Sequence, residues 1–500
     1  MNKHPRIMRP EEALASAEGR FRLARTIENT QRRTFLRGAG YGVGALALGS
    51  LAGRDTKSLA DTAASTGWTG VITKPHYPVK AKRIIHLCMA GGPSQFETFD
   101  WKPLLRDLDG KQFPESLTKG QQLAQLQGQV LTAFGPRFAF KRHGKSGQLM
   151  SDRFPHLGTI ADDMCIIRSM HTEQINHDPA HAFMNAGSIL KGRPSMGSWM
   201  LYGLGSETQD LPGFVVMVSI GRNGDQPISS RQWSAGFLPS RFQGIQFQSR
   251  GDAVHFVRSP PGVDADNQRR LVNEVRKLDG MAGTSLGDPE IDTRISQYEM
   301  AFRMQASVPE LTDFSNEPQS MLDAYGVQKP GDGSFASNCL LARRLAEKGV
   351  RFIQLYHRAW DHHGSLKKDF MKASDQVDRA SAALVKDLKQ RGLLDDTLVL
   401  WGGEFGRTPM GQGSGRDHHI KAFSLWMAGG GIKGGMTFGN TDELGYSYLA
   451  DGEEVSVHDL HATMLHQCGI NHERLSYKFQ GLDVRLTGVE PARVVKQILA

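Results

Sequence analysis

Three short segments of the chain combine carboxylates with histidine or arginine. They are Asp361-His362-His363, Glu404 with Arg407, and Asp417-His418-His419. Carboxylate oxygens and imidazole nitrogens are ligands for divalent metals, and the abundance of histidine favours Zn²⁺ or Mn²⁺ while leaving Ca²⁺ and Mg²⁺ open. Arginine adds a planar group that can bind an anionic oxygen through two hydrogen bonds. The residues predicted to hold the metal are Asp361, His363, Glu404, Asp417, His418 and His419.

The elements before these segments explain why they should meet. Short apolar runs at 350–356 and 397–401 are typical of buried parallel strands, and the first two segments follow them directly. The third is predicted to lie in a loop before a second apolar run at 422–428. Parallel strands bring their carboxyl ends to one edge of a sheet, where ligands bind in α/β proteins. We therefore expect one shared pocket.

Strand and helix patterns alternate along most of the chain, which predicts an α/β fold with a doubly wound, mostly parallel central sheet. The predicted strands are 84–90, 165–168, 214–220, 350–356 and 397–401. The predicted helices are 179–187 with Asp178 as its N-cap, 336–348, 369–391 and 457–467. The pattern is weaker near 221–333, where we expect an insertion.

The amino terminus has the layout of an export signal. Arg32 and Arg33 precede an uncharged run rich in glycine, alanine and leucine at 38–53. That run is too short and too rich in glycine to span a bilayer stably. The arginine pair resembles a twin-arginine signal. A cytosolic amphipathic helix is the alternative, which the absence of charge in this run opposes.

These features divide the chain into a signal at 1–53, a linker at 54–77 and one large domain at 78–500. The formal net charge of +8 lies mostly in the signal, and no basic stripe interleaved with aromatic residues is present. Nucleic-acid binding is therefore not expected. The four cysteines lie far apart, without a CxxC pair, so no cysteine-based metal site is predicted.

The order of motifs resembles the sulfatase and alkaline-phosphatase superfamily. The segments on which this resemblance rests are DLKQRGLLDDT, LVLWGGEFG, AFSLWMAGGGIKGG and HDLHATMLHQCGI. The resemblance covers residues 380–470 and extends to residues 80–205. The combination GGPSQFETFD, WDHHG, EFGRTP and GRDHH looks like one branch of that superfamily, a domain of unknown function whose members commonly carry twin-arginine signals. The resemblance implies an alkaline-phosphatase-like sheet with inserted loops.

The resemblance also implies roles for some of these residues. Glu404 falls where the superfamily places a metal-binding aspartate, and Asp361 with His363 resembles its Asp/His ligand pair. His418 or His419 matches a late metal-binding histidine. 

The chain departs from the superfamily on its first strand. Ala90-Gly91-Gly92 replaces a metal-binding Asp-Asp there. Two substitutes stay open: Asp100 as a ligand, or anion binding by Ser94 and the backbone of the glycine turn.

A second departure concerns the nucleophile. The segment 177–187 keeps the proline, helix and glycine that follow a sulfatase nucleophile, but His177 replaces the cysteine or serine and His181 replaces the arginine. No formylglycine precursor is therefore present. His177 could be a nucleophile, a general acid–base or a metal ligand. Together with His181 and Arg407, which would stabilise charge on an oxyanion, it forms the predicted catalytic set.

The resulting hypothesis is an exported, metal-dependent hydrolase of sulfate or phosphate esters. Its ligand would be a small anionic ester or a sulfated or phosphorylated glycan, including fragments of polysaccharides. The alternative is a catalytically inactive relative that binds anionic glycans or a partner protein with the same pocket. A third reading, a cytosolic helper of other exported enzymes, is opposed by the signal.

Overall fold

A computed structural model of the protein describes residues 68–220, 226–254 and 289–500, together with a few helical positions between 267 and 274. The predicted export signal at 1–53 lies outside the described residues, as does the linker up to residue 67. The predicted insertion at 221–333 is described in part.

Fifteen strands form within the described residues. They are β1 (Arg83–Met89), β2 (Phe140–His143), β3 (Gln148–Ser151), β4 (Met164–His171), β5 (Phe214–Val218), β6 (Ile245–Phe247), β7 (Phe352–His357), β8 (Thr397–Gly402), β9 (Gly406–Gln412), β10 (Gly415–His419), β11 (Phe423–Ala428), β12 (Met436–Phe438), β13 (Val455–Ser456), β14 (Tyr477–Phe479) and β15 (Leu482–Val484).

The α-helices of the same ranges are α1 (Gln95–Thr98), α2 (Pro103–Asp107), α3 (Glu115–Thr118), α4 (His177–Ala186), α5 (Met196–Leu204), α6 (Pro289–Thr312), α7 (Gln319–Tyr325), α8 (Phe335–Glu347), α9 (Leu366–Gln390) and α10 (Val457–Gln467). Short 3₁₀ turns form at Leu157–Asp163, Ser230–Trp233, Ser240–Phe242, Leu394–Asp396 and Lys496–Ile498. None of the helices in the described part of the chain combines the length and hydrophobicity that crossing a membrane requires.

Nine strands make one large, mostly parallel sheet. Their order is β12-β4-β11-β8-β1-β7-β5-β6, with β13 beside β4. Only the two pairs made by β11 are antiparallel. The remaining pairs in this sheet are parallel. The structure thus confirms a mixed α/β fold with a mostly parallel central sheet.

Both faces of the sheet are buried, which explains the continuous apolar runs of its strands. In β1, the side chains of Ile85 and Leu87 enter one hydrophobic core, which also contains apolar residues of α8 and α9. Ile84 and Cys88 enter a second core, shared with α4, α5 and α10. Each fully buried aliphatic side chain contributes about 1.5–3 kcal/mol relative to its exposed form. The strand could not present either face to water without losing this contribution.

Helix α9 connects β7 to β8, the two strands that precede the first two candidate metal-binding segments. Val377, Leu384 and Leu388 are all fully buried, as their helical spacing predicts. The helix begins three residues before the predicted start and is followed by Gly392, whose φ of +68° suits a helix end.

Two local predictions were wrong. The segment 417–419 is not a loop: it belongs to β10, which pairs with β9 in an antiparallel ribbon outside the main sheet. This ribbon is buried although it is rich in polar residues, so hydrophobic periodicity could not indicate it. Helix α4 begins at His177 with Asn176 as its N-cap, whereas Asp178 lies in its first turn.

Candidate metal centre

Six of the nine predicted site residues meet in two adjoining groups. The helix cluster consists of His177, His181 and Glu404, and the ribbon cluster consists of Asp361, His363 and His418. Their ligand atoms lie close enough to hold metal ions: His177, His181 and Glu404 form one such group, while Asp361 and His418 form another with His177. The predicted convergence at the carboxyl edge of the sheet is therefore present.

The helix cluster follows from the geometry of α4 and β8. His177 and His181 are four residues apart, so they share one face of α4. Glu404 follows β8 and is completely buried. Its Oε1 lies 2.7 Å from Nδ1 of His177 and 3.4 Å from Nε2 of His181. The backbone N–H of Gly91 donates to both carboxylate oxygens, at 3.0 and 3.2 Å.

The residues of the helix cluster have strongly shifted pKa values. Burial alone would raise the pKa of Glu404, but its electrostatic interaction with His181 and its hydrogen bond with His177 lower the pKa to about 2. Burial would lower the pKa of His177, whereas its hydrogen bonds to Asp361 and Glu404 raise it to about 9. His181, completely buried, has a lowered pKa because of desolvation. Within the described part of the chain, its two ring nitrogens make no hydrogen bond of normal geometry.

The ribbon cluster is centred on the carboxylate of Asp361. Its Oδ1 lies 2.9 Å from Nε2 of His363 and 3.2 Å from Nε2 of His418. Its Oδ2 lies 3.1 Å from Nε2 of His177, which joins the two clusters. Nε2 of His363 and Nε2 of His418 are themselves 2.9 Å apart.

The environment of His418 leaves one ring nitrogen without a proton. Its Nδ1 donates to the backbone carbonyl of Ile175 at 2.7 Å. Burial lowers the pKa of His418, so the ring is neutral and Nε2 carries a lone pair. That lone pair faces the Asp361 oxygen, another acceptor. Two acceptors in this position repel each other unless a cation lies between them, so a divalent metal fits the donor set.

Arg407 differs from its predicted position at the substrate. Its side chain has no exposed surface. The guanidinium donates to the carbonyls of Gly91, Gly92 at 3.0 Å and Arg416 at 3.1 Å. A further bond of 2.6 Å reaches Oδ1 of Asp361. In this arrangement four of the five guanidinium N–H groups are hydrogen-bonded, and Arg407 orients Asp361 and the glycine turn.

Asp417 and His419 have different surroundings from the two clusters. Asp417 forms a third possible metal-binding group with His363 and His418, and its carboxylate also accepts the backbone N–H groups of Gln125 at 2.6 Å and Leu126 at 2.9 Å. It thereby anchors the 121–129 loop to β10. His419 bonds to the backbone carbonyl of Tyr446, and burial lowers its pKa to about 4.

Asp100 and Ser94, the two residues that could replace the missing Asp-Asp pair of the first strand, lie outside the two clusters. Asp100 accepts a hydrogen bond from Thr441 and forms an ion pair with Lys102 at 3.3 Å, outside both clusters. The Ser94 hydroxyl is buried and has no hydrogen-bond partner among the residues that the structure describes. At this turn the contribution to the site comes from the backbone N–H of Gly91, which binds Glu404.

The sequence did not indicate two glutamines that orient candidate site residues. Gln412 lies at the end of β9, and its Oε1 bonds to Nδ1 of His363. Gln95 makes two bonds with the backbone of Arg407, at 2.7 and 2.9 Å. Neither glutamine belongs to one of the three segments that combine a carboxylate with histidine or arginine. Gln95 lies within the motif GGPSQFETFD, whereas Gln412 lies three residues after the motif EFGRTP, so the family resemblance marked only the segment of Gln95.

The glycine turn offers a first test of the site's geometry. Gly91 has a φ of +120°, and a Cβ added there would lie 2.5 Å from the backbone nitrogen of Asp361. We expect Gly91→Ala to lower the free energy of unfolding by on the order of 3 kcal/mol, because it combines a strained backbone with a clash. Chemical denaturation of both proteins measures the difference.

Gly110 provides the matched control for that substitution. Its φ is also positive, at +78°, but an added Cβ would meet nothing within 4 Å. Gly110→Ala should therefore lower the free energy of unfolding only through its strained backbone conformation, by about 1 kcal/mol. Equal losses in the two variants would contradict a tight approach between Gly91 and Asp361.

The chain matches one family model and is similar in fold to several solved structures. The family model described as "Protein of unknown function (DUF1501)" matches residues 81–499. The chain is similar to the PsFucS1 sulfatase from Pseudoalteromonas sp., with 12% identity and a TM-score of 0.33 over 79% of this chain and 69% of that one. It is similar to the C-terminal periplasmic domain of EcEptC from Escherichia coli, solved in complex with Zn, with 7% identity and a TM-score of 0.34 over 80% and 86%. A protein in the alkaline phosphatase superfamily from Vibrio parahaemolyticus has 10% identity and a TM-score of 0.31 over 80% and 70%. A search among curated proteins gives no match.

Proposed function

The chain belongs to the family described as "Protein of unknown function (DUF1501)", and from the geometry of its site we propose that it is an exported, metal-dependent hydrolase of sulfate or phosphate esters. We also propose that its sheet is doubly wound in the alkaline-phosphatase-like manner. The packing of helices against both faces of the sheet supports this, together with the sequence motifs.

One observation carries the proposal of a metal. The unprotonated Nε2 of His418 lies 3.2 Å from the Asp361 carboxylate, without a proton to share between them. The buried His181 adds a second group without a hydrogen-bond partner of normal geometry, 3.4 Å from Glu404. Buried polar groups without partners cost free energy. A divalent cation held by His177, His181 and Glu404, by Asp361, His363 and His418, or by both clusters would remove that cost.

The exposure of the side chains indicates where an ester would enter. The partly exposed groups are Asp361 at 28%, His363 at 24% and His177 at 14%, whereas Glu404 has no exposed surface. When bound, a divalent metal polarises the ester oxygen and lowers the pKa of a coordinated water. Asp361 and Glu404 supply the fixed negative charge, and Arg407 holds Asp361 in place. His177 lies between the two carboxylates, where an imidazole can transfer a proton or act as a ligand.

A second candidate function is a non-catalytic protein that binds an anionic glycan or a partner protein through the same pocket. Nδ1 of His177 bonds to Glu404 at 2.7 Å and its Nε2 lies 3.1 Å from Asp361, so a carboxylate oxygen stands in front of each nitrogen that could attack an ester. Arg407, the predicted oxyanion donor, is buried among backbone carbonyls. Neither group reaches an ester in this arrangement.

One experiment separates the two candidates. The purified protein would be analysed for bound metal, then assayed against a panel of aryl and sugar sulfates and phosphates with and without a chelator. We expect chelator-sensitive hydrolysis of at least one ester. Bound metal with no turnover of any ester, but with saturable binding of a sulfated oligosaccharide, would favour the binding protein. A protein free of metal after reconstitution with Zn²⁺, Mn²⁺, Ca²⁺ and Mg²⁺ would contradict the first proposal.

Export depends on the paired arginines of the predicted signal. We expect Arg32→Lys combined with Arg33→Lys to leave the protein in the cytoplasm, because a twin-arginine signal requires this pair and lysine only keeps the charge. Cell fractionation followed by immunoblotting measures the distribution. Arg20→Lys with Arg22→Lys makes the same chemical change nearby and should be exported normally. Export of the Arg32/Arg33 variant at the normal level would remove the twin-arginine proposal.

A further inference from the structure

Gln412 makes a contact that neither the motif resemblance nor the proposed reaction assigns. Its Oε1 bonds to Nδ1 of His363, on the side of the ring facing away from the ribbon cluster. Its Nε2 donates to Oε1 of Gln125 at 2.6 Å. The amide therefore links a surface loop to a candidate ligand. A hydrogen-bond acceptor at Nδ1 fixes the ring proton there.

The tautomer of His363 decides what its other nitrogen can do. Nε2 lies 2.9 Å from both Asp361 Oδ1 and His418 Nε2. With the proton on Nδ1, Nε2 carries a lone pair and can bind a metal. With the proton on Nε2, the ring would donate to Asp361 instead and would block the same position. An amide oxygen at Nδ1 selects the ligating form, as outer-shell acceptors do for other metal-bound histidines.

The 121–129 loop holds that amide in its orientation. An amide can turn by 180° and exchange its oxygen for its nitrogen. Gln125 presents an oxygen to the Gln412 nitrogen, and two backbone bonds from Gln125 and Leu126 to Asp417 fix the loop against β10. The loop and the ribbon are thus joined at two points beside His363.

We propose that Gln412 is a positioning residue that holds His363 in its metal-binding tautomer, with Gln125 setting the orientation of the Gln412 amide. This inference rests on the proposed metal site but not on hydrolysis. It assigns the 121–129 loop, through Gln125, an influence on metal affinity although the loop supplies no ligand atom to the two clusters among the described residues.

The test measures metal binding by the full-length protein, using Zn²⁺ alone as the probe. Gln412→Leu removes the acceptor, and we expect the affinity for Zn²⁺ to fall by on the order of 10- to 100-fold. Gln412→Glu keeps an acceptor at the same place and should retain the wild-type affinity or exceed it. A purely structural role would not change the tautomer of His363, which depends on the hydrogen-bond acceptor at Nδ1. Gln125→Leu should give a smaller loss than Gln412→Leu.

Gln129 supplies the matched control, because it lies in the same loop and its side chain donates to the backbone carbonyl of Gln125, at 2.8 Å, rather than to the Gln125 amide that contacts Gln412. Gln129→Leu should leave the affinity for Zn²⁺ unchanged. Long-range ¹H–¹⁵N spectra of the metal-free proteins give a second readout: His363 should carry its proton on Nδ1 in the wild type and the Glu variant, and on Nε2 in the Leu variant.

The measured Zn²⁺ affinities and ester turnover distinguish a failure of this inference from a failure of the proposed reaction. Equal affinity for Zn²⁺ in the wild type and Gln412→Leu would overturn this inference alone, as would an unchanged tautomer. A wild type that binds Zn²⁺ but hydrolyses no ester would overturn the proposed reaction and leave the inference standing. A wild type that takes up no metal would overturn both.

Discussion

Glu404→Gln is expected to abolish stable metal binding in the helix cluster. The substitution keeps the shape of the side chain and an oxygen for the N–H of Gly91, but it removes the negative charge that faces His177 and His181. A directly bound carboxylate should matter more than an outer-shell group, whose loss costs about 10- to 100-fold in affinity. Metal analysis after reconstitution, together with titration calorimetry, measures the effect.

His363→Ala tests the ribbon cluster in the same way. We expect it to reduce metal content as well, because it removes a nitrogen 2.9 Å from Asp361. Asp378→Asn is the matched control for both: this carboxylate is also buried and also accepts backbone N–H groups, at 2.8 and 2.9 Å, but it contacts neither cluster. Full metal content in both Glu404→Gln and His363→Ala would rule out this site.

His177→Ala is expected to lower ester turnover by on the order of 10²-fold or more, the usual scale for losing an acid–base group. The ring joins the two clusters through Glu404 and Asp361, so its loss should also reduce metal affinity. Turnover should therefore be compared at saturating metal. In a protein that only binds its ligand, the same variant would change affinity and have no turnover to lose.

A control variant must show whether a loss of turnover comes from the missing imidazole or from disturbed packing of α4. His458 is suitable, because its Nε2 bonds at 2.8 Å to the carbonyl of Gly187 at the opposite end of that helix. His458→Ala disturbs the packing of α4 without touching either cluster. A rate untouched by His177→Ala, in an enzyme that hydrolyses an ester, would mean that the catalytic position has been misassigned.

The sequence was most informative where a side chain's environment is set by local pattern. The apolar runs predicted β1, β7 and β8 because strands buried on both faces need continuous hydrophobicity. Helical spacing predicted the buried face of α9 and the whole of α10. The clusters that follow β7 and β8 met as expected, since parallel strands share an edge.

Sequence reasoning failed where the environment is set by distant contacts. The β9–β10 ribbon is buried and polar, and its burial depends on partners such as Glu97, which pairs with Arg416 at 2.9 Å. No periodicity distinguishes such a ribbon from a solvated loop. The same cause hid the burial of Arg407: the carbonyls that bind it come from Gly91 and Gly92, more than 300 positions away.

The separation of the ligands along the chain has a consequence for the time course of folding. His177 and Glu404 are 227 positions apart, and Gly91 and Glu404 are 313 apart. Strand β1 takes its place between β7 and β8 only after both have been synthesised. Contacts of this kind carry a large loop-closure cost and form late. Neither cluster can therefore be complete in a nascent chain shorter than 404 residues, so a metal held by either cluster would bind at the last stage of folding.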